Sequence, residues 1–199
     1  MNSALAQKIA ALPDVPSDLS PKLERYRDLL LQWNKVHNLS GYKDAATVEH
    51  YLFDALYPVT FLPPVKSAMD IGTGAGFPGL ILAMAQPRTH WTLVEPLQKR
   101  AGFLQFVKAT LKLENVTVEN RRVEELEPQR FDLITSRAVT DTQMLLRLSE
   151  PFRDTETMLL FYKGENVYNE VPDDLPYRII ETAERHYLLI NPPKETRCS

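Results

Sequence analysis

The stretch VKSAMDIGTGAGFPG, from Val65 to Gly79, decides the fold that this sequence predicts. An apolar run leads to Asp70, a glycine-rich segment follows, and the helical run LILAMA comes directly after it. Strand, glycine turn and helix in this order open a nucleotide-binding α/β sheet. Glycine suits the turn because it reaches positive φ cheaply and lets a ligand approach the backbone. Pro78 suits the first turn of the helix, where its missing N–H has no intrahelical partner.

Two ligands compete for this loop. Residues 74–79 fit G-x-G-x-x-G, which indicates a dinucleotide. Asp70, two residues before Gly72, would repel a pyrophosphate but suits a cationic ligand such as S-adenosylmethionine. The next strand, HWTLVE, ends in Glu95, an acid placed to bind ribose hydroxyls. The two acids favour S-adenosylmethionine, with a dinucleotide and a purely structural turn as the alternatives.

Length and composition indicate one globular domain with a helical extension. The chain has 199 residues, 44% of them hydrophobic and 25% charged, as is ordinary for a soluble protein. Its net charge of −3 means that a nucleic-acid partner would need a local basic face. Cys198 is the single cysteine, so we expect no disulfide within the chain and a reducing compartment. Neither a leader nor a membrane-spanning run is evident, and we expect a cytoplasmic protein without membrane contact.

Hydrophobic periodicity divides the chain into two sections. Residues 1–64 predict an N-terminal helical extension, with apolar positions at helical spacing between Leu23 and Val36 and again over 45–60. In the first of these helices Ser20 is the predicted cap. From Val65 strands and helices alternate, which predicts a mostly parallel sheet with helices on both faces over 65–199. The runs YRIIET and HYLLI read as a closing, hairpin-like pair of strands at the sheet edge.

Several separated motifs resemble one family. They are Trp33-Asn34 with Asn38-Leu39, His50 with Asp54, the loop from Asp70 to Gly79, Glu95 to Arg100, Arg122 to Glu125, Ser136 to Ala138, Lys163-Gly164 and Arg185-His186. Together they resemble the bacterial small-subunit ribosomal RNA guanine-N7 methyltransferases, the RsmG or GidB family, over most of the chain. The resemblance implies a Rossmann-like class I methyltransferase fold, S-adenosylmethionine as cofactor, and methyl transfer to N7 of a guanine in 16S rRNA.

The resemblance also implies roles for individual residues. Phe77, Val123 and Glu124 match positions beside the cofactor. Arg137 matches an arginine of the cofactor side or catalytic face, and Lys163 would face the RNA or the target base, so these two are the catalytic candidates. The expected cofactor site comprises Asp70, Gly72, Gly74, Gly76, Phe77, Glu95, Val123, Glu124 and Arg137.

Each of these roles has a structural alternative. Arg137 could pair with an acid, Lys163 could be a solvated strand end, and Glu124 could be an exposed helix acid. Trp33 lies in an apolar stripe, which favours the core over a stacking platform. The pair His50 and Asp54 lacks further candidate ligands, so we expect no metal.

The expected partner is 16S rRNA or the small ribosomal subunit, bound by a monomer. Guanine N7 carries an in-plane lone pair, so no nucleophilic side chain or strong base is required. The alternative functions are a dinucleotide-dependent oxidoreductase and a non-catalytic, cofactor-dependent assembly factor. A candidate basic face comprises Lys35, Lys99, Arg100, Arg121, Arg122, Arg137, Lys163 and Arg185.

Overall fold

A computed structural model describes residues 3–137, 139–171, 175–183 and 185–193; Cys198 lies outside them. The helices are α1 (Ser3–Ala10), α2 (Leu19–His37), α3 (Ala45–Leu56), α4 (Gly79–Ala85), α5 (Gln98–Leu111) and α6 (Thr142–Ser149). The strands are β1 (Ser67–Ile71), β2 (His90–Val94), β3 (Val116–Glu119), β4 (Leu133–Arg137), β5 (Met158–Lys163), β6 (Tyr177–Glu181) and β7 (His186–Ile190).

The seven strands form one sheet in the order β3-β2-β1-β4-β5-β7-β6. Strands β1 to β5 pair in parallel, whereas β7 is antiparallel to both β5 and β6. The predicted mostly parallel α/β fold is thus confirmed, as is the closing pair of strands. Ile71 of β1 pairs with Val94 of β2 and Ser136 of β4, so the carboxyl ends of the central strands meet at one edge.

Alternating side chains divide the apolar core between the two faces of the sheet. Ala68 of β1 belongs to a cluster with residues of α4 and α5, whereas the adjacent Met69 belongs to a second cluster with residues of α6. This period of two is the pattern of a sheet buried on both faces. Helices therefore cover both faces, as predicted.

The N-terminal helices share the first of these clusters with the sheet. Residues of α1, α2 and α3 are buried together with strand residues such as Trp91 and Leu160. Two hydrogen bonds fix the contact, from the Tyr26 hydroxyl to the Ala75 carbonyl at 2.7 Å and from the Tyr162 hydroxyl to the Ala55 carbonyl at 2.9 Å. The extension is thereby bonded directly to the glycine loop.

Two predictions of helix ends are wrong by a residue or two. Helix α2 begins at Leu19 with Asp18 at the N-cap, so Ser20 lies inside the first turn and does not cap it. Pro78 is the N-cap of α4 and precedes its first turn. Within the described ranges, none of the helices is long and apolar enough to cross a membrane.

Candidate active site

A pocket of about 430 Å³ opens at the carboxyl ends of the central strands. This edge of an open α/β sheet is where such folds bind their ligands. Four segments form the walls: the glycine loop after β1, the turn after β2, the loop after α2 and the end of β4 with the residues that follow it. The lining residues are Leu39, Ser40, Gly41, Tyr42, Gly72, Thr73, Gly74, Ala75, Phe77, Glu95, Pro96, Leu97, Arg100, Arg137 and Val139.

The glycine loop adopts a backbone that requires glycine at two points. Gly72 has a φ of 68°, and a Cβ added to it would lie 2.5 Å from Cγ2 of Val139. Gly76 has a φ of 111°, and its Cβ would lie 2.9 Å from Cβ of Leu80. Positive φ is costly for residues with a side chain, so both conformation and space select glycine here.

Most backbone N–H groups of this loop are bonded within the protein. Those of Gly72 and Thr73 donate to the Val94 carbonyl at 2.9 and 3.1 Å. Those of residues 76 and 77 both donate to the Thr73 carbonyl at 2.9 Å. A loop that cradles phosphates presents such groups to the ligand. In this loop they are turned inward.

Glu95 holds the loop and also lines the pocket. Its carboxylate accepts from the backbone N–H groups of Gly74 and Leu97, each at 2.9 Å, although the residue is only 2% exposed. Each carboxylate oxygen has two lone pairs, so each keeps one acceptor site. Glu95 can therefore accept two further hydrogen bonds from a ligand in the pocket.

Asp70 is fully buried behind the loop and is not among the pocket-lining residues. One carboxylate oxygen accepts from the N–H of Gly79 at 2.8 Å and the other from the hydroxyl of Thr135 at 2.7 Å. Burial raises the pKa of Asp70 to about 6, and the hydrogen bonds oppose that rise. The carboxylate thus braces the start of α4 beneath the loop.

Arg137 lies in the pocket wall among rings and one acid. Its guanidinium donates a short hydrogen bond to the Tyr42 hydroxyl and lies 4.9 Å from the ring centroid of Phe77. Nη1 is 3.6 Å from Oδ2 of Asp54, and the side chains of Arg137 and Asp54 are only 12% and 6% exposed. Arg137 therefore lines the pocket and also pairs with an acid, while its role beside a cofactor remains a prediction.

Lys163 lies outside the pocket lining, in a neighbouring polar cluster. Its ammonium contacts the Glu170 carboxylate at 2.7 Å and the Thr140 carbonyl at 3.3 Å. The hydrogen bond from Lys163 is the main cause that lowers the pKa of Glu170. Lys163 thus ties the segment after β4, which carries Val139, to the end of the chain's fifth strand.

Val123 and Glu124 lie in a short 3-10 helix after β3. Val123 is buried in the second cluster and Glu124 is exposed. Neither is among the residues that line the pocket. Their placement beside a cofactor remains a prediction.

Sequence reasoning did not identify the wall formed by residues 39–42. Asn34 braces this wall, because its amide donates to the Ser40 and Tyr42 carbonyls at 3.1 and 2.7 Å and accepts from the Ser40 N–H at 2.9 Å. The spacing of Asn34 and Asn38, one helical turn apart, was the available signal. Asn38 ends α2 in the left-handed conformation.

Several cations of the candidate basic face are paired with acids. Arg137 and Arg185 both contact Asp54, and Arg121 lies 3.1 Å from Glu119.

In the part of the chain that the structure describes, no three His, Cys, Asp or Glu side chains are placed to hold a metal ion. His50 and Asp54 are therefore not joined there by further ligands.

The sequence itself matches a known family. The family model GidB, described as rRNA small subunit methyltransferase G, matches residues 19–186. The chain belongs to this family. GidB relatives named ribosomal RNA small subunit methyltransferase G include one from Wolinella succinogenes, 52% identical over 84% of this chain and 86% of the relative. Another, from Helicobacter acinonychis, is 40% identical over 90% of this chain and all of the relative.

Solved structures with the same fold are more distant from this GidB chain. A mutant form of MtNAS in complex with S-adenosylmethionine matches with a TM-score of 0.56 and 17% identity over 86% of this chain and 76% of that one. M. jannaschii TYW2 in complex with AdoMet matches with a TM-score of 0.55 and 14% identity over 70% and 73%. These likenesses show the class I methyltransferase fold.

Proposed function

We propose that this chain transfers a methyl group from S-adenosylmethionine to N7 of a guanine in 16S rRNA. Membership of the GidB family supports the reaction and the RNA substrate. The observation in the site that carries the proposal is the inward bonding of the loop N–H groups. This bonding favours S-adenosylmethionine over the dinucleotide that the G-x-G-x-x-G motif also allows.

Most N–H donors of the loop are already engaged and cannot serve a pyrophosphate. The N–H of Gly74 is bonded to Glu95, that of Gly79 to Asp70, and those of Gly72 and Thr73 to the Val94 carbonyl. A pyrophosphate at this loop would also meet the Glu95 carboxylate, which would repel it. A ligand with cationic groups and ribose hydroxyls suits the same surface.

The residues present fit S-adenosylmethionine. The two open acceptor sites of Glu95 suit a ribose diol, and the glycine loop lets the ligand approach the backbone. When bound, the cofactor supplies a methyl group on a sulfonium. Guanine N7 would accept this methyl group with a lone pair that carries no proton, so the chain need not supply a base.

The work of the chain is then positioning and exclusion of water. Arg137 is a candidate for this role, because Tyr42, Phe77 and Asp54 fix its guanidinium in the pocket wall. Lys163 lies outside the lining and is tied through the Thr140 carbonyl to the segment that carries the lining residue Val139. Both stay proposed catalytic residues.

The test is methyl transfer from labelled S-adenosylmethionine to deproteinised 16S rRNA and to small ribosomal subunits, followed by nucleoside analysis. We expect N7-methylguanosine as the product. Lys163→Gln should lower the turnover rate and leave cofactor affinity unchanged, whereas Lys66→Gln, at the opposite end of the sheet, should change neither. Binding of NADH in place of S-adenosylmethionine, or no labelled guanine with any of these RNAs, would refute the proposal.

A further inference from the structure

Two packed helices beside the pocket mouth present aromatic rings at their junction. We call this junction the seam and define it by Trp33, Val36 and His37 of α2 and Lys99, Gly102 and Phe106 of α5. The ring of Trp33 lies 5.3 Å from that of Phe106 and 5.1 Å from that of His37, measured between centroids. Its inner side is closed by Phe103, whose ring is 5.5 Å from that of Trp33.

The outer side of the seam is open. Val36 is 77% exposed and Phe106 is 41% exposed, so two apolar side chains face solvent beside the half-buried Trp33. Lys99, Gly102 and Phe106 are three and four residues apart, so they lie on one face of α5. A Cβ added to Gly102 would meet nothing within 4 Å, so bare helix backbone lies between a cation and a ring.

The charge of the seam is opposite in sign to that of the whole chain. Residues 29–43 and 97–112 contain no Asp or Glu, although the chain has 26 acids and a net charge of −3. The same two segments carry Lys35, Lys43, Lys99, Arg100, Lys108 and Lys112. These two segments therefore attract an anionic partner more than the net charge of the chain suggests.

The seam leads directly into the pocket. Nε of Arg100 donates to the Leu39 carbonyl at 3.1 Å, and both residues line the pocket. Trp33 meets Phe106 farther along the same two helices. A ligand lying on the seam thus has one end at the pocket mouth.

We propose that the seam binds a single-stranded segment of RNA adjacent to the target nucleotide. Half-exposed rings offer stacking surfaces to unpaired bases, and lysines beside them contact phosphates. The bases of a duplex are already stacked on one another, so they cannot stack on the rings of the seam. A second copy of this chain would set one cationic seam against another. The proposal rests on the proposed function, since it names the part of the RNA that the same pocket receives.

The experiment measures fluorescence anisotropy of a labelled single-stranded oligouridylate and of an RNA duplex of equal length, at two salt concentrations. Phe106→Ala should weaken single-strand binding about fivefold or more, the lower end of one lost stacking contact. Tyr177→Ala removes a comparably exposed ring, 44% exposed on β6, and should leave binding unchanged.

Gly102 provides a second pair of variants that keep the fold. Its side-chain direction is open and its position is helical, so substitution by a residue with a side chain favours α5. Gly102→Glu should weaken single-strand binding and Gly102→Lys should strengthen it, with a steeper salt dependence. Cofactor affinity, measured by calorimetry, should not change in either variant.

Three results would overturn the proposal. They are unchanged single-strand affinity in Phe106→Ala and Gly102→Glu, an equal loss of duplex affinity in those variants, and self-association of the wild-type chain that Phe106→Ala abolishes. Failure of methyl transfer to rRNA would instead overturn the proposed function, because oligonucleotide binding is measured without the reaction.

Discussion

The carboxylate of Asp54 lies 3.6 Å from Nη1 of Arg137 and joins α3 to the wall of the candidate pocket. The other oxygen of Asp54 accepts from Nε of Arg185 at 3.1 Å and from the hydroxyl of Tyr187 at 3.0 Å. One acid therefore faces two guanidinium groups. Of these two cations only Arg137 lines the pocket, so Asp54 orients one guanidinium in the wall and one outside it.

Asp54→Asn should destabilise the protein by about 3 kcal/mol, because two mostly buried guanidinium groups lose their counter-charge. Urea unfolding measures the change. Asp28→Asn is the matched control: its partner is Arg27, its side chain is 55% exposed, and its loss should cost less than about 1 kcal/mol. Equal free energies of unfolding for Asp54→Asn and the wild type would show that the ion pair contributes nothing.

Glu95→Gln should weaken S-adenosylmethionine binding about tenfold or more, since hydrogen bonds to a charged acceptor contribute about 1.5–3 kcal/mol. The amide group carries donors on one side, so the N–H of either Gly74 or Leu97 loses its acceptor. Calorimetric titration measures the dissociation constant. Glu127→Gln changes an exposed acid outside the pocket lining and should bind the cofactor as the wild type does. If Glu95→Gln binds S-adenosylmethionine with wild-type affinity, Glu95 does not bind the cofactor.

Asp70 should make stability depend on pH in a definite direction. Its pKa in the folded protein, about 6, lies above the ordinary value of 3.8, so the folded state favours the protonated form. The stabilising contribution is complete below about pH 4 and is lost as the pH rises through 6. Relative to Asp70→Asn, the wild type should lose about 3 kcal/mol between pH 4 and pH 7. If the free energies of unfolding of the two proteins change with pH in the same way over this range, the raised pKa of Asp70 is contradicted.

Gly79→Ala should destabilise the protein by about 3 kcal/mol, at the upper end of overpacking effects. A Cβ at this position would lie 2.5 Å from Cβ of Asp70 and 2.6 Å from Cδ2 of Leu93. Gly102→Ala is the control, because the same added methyl group meets open space there and should stabilise α5 by up to about 1 kcal/mol. Thermal unfolding of both variants measures the change in stability. A Gly79→Ala protein as stable as the wild type would show that the backbone there shifts to accommodate the added methyl group.

Periodicity and loop motifs predicted the sheet, its helices and the placement of Glu95, because those features depend on local patterns. Local patterns could not predict which side chain donates a hydrogen bond to Asp70. Thr135 reaches it because β1 and β4 pair with Asp70 opposite Thr135, and this register is set by the packed sheet. The contacts of Lys163 with Glu170 and of Arg137 with Asp54 depend in the same way on elements far apart in sequence.

The contacts of Asp54 also connect two distant parts of the chain. Arg185 and Tyr187, which hold this carboxylate, follow it by 131 and 133 residues, and Tyr187 lies in β7, the antiparallel neighbour of β5. A chain that ended before β7 would therefore lose the groups that orient the acid paired with Arg137. Truncation near the C-terminus is thus expected to disturb the pocket wall, although the removed residues lie outside that wall.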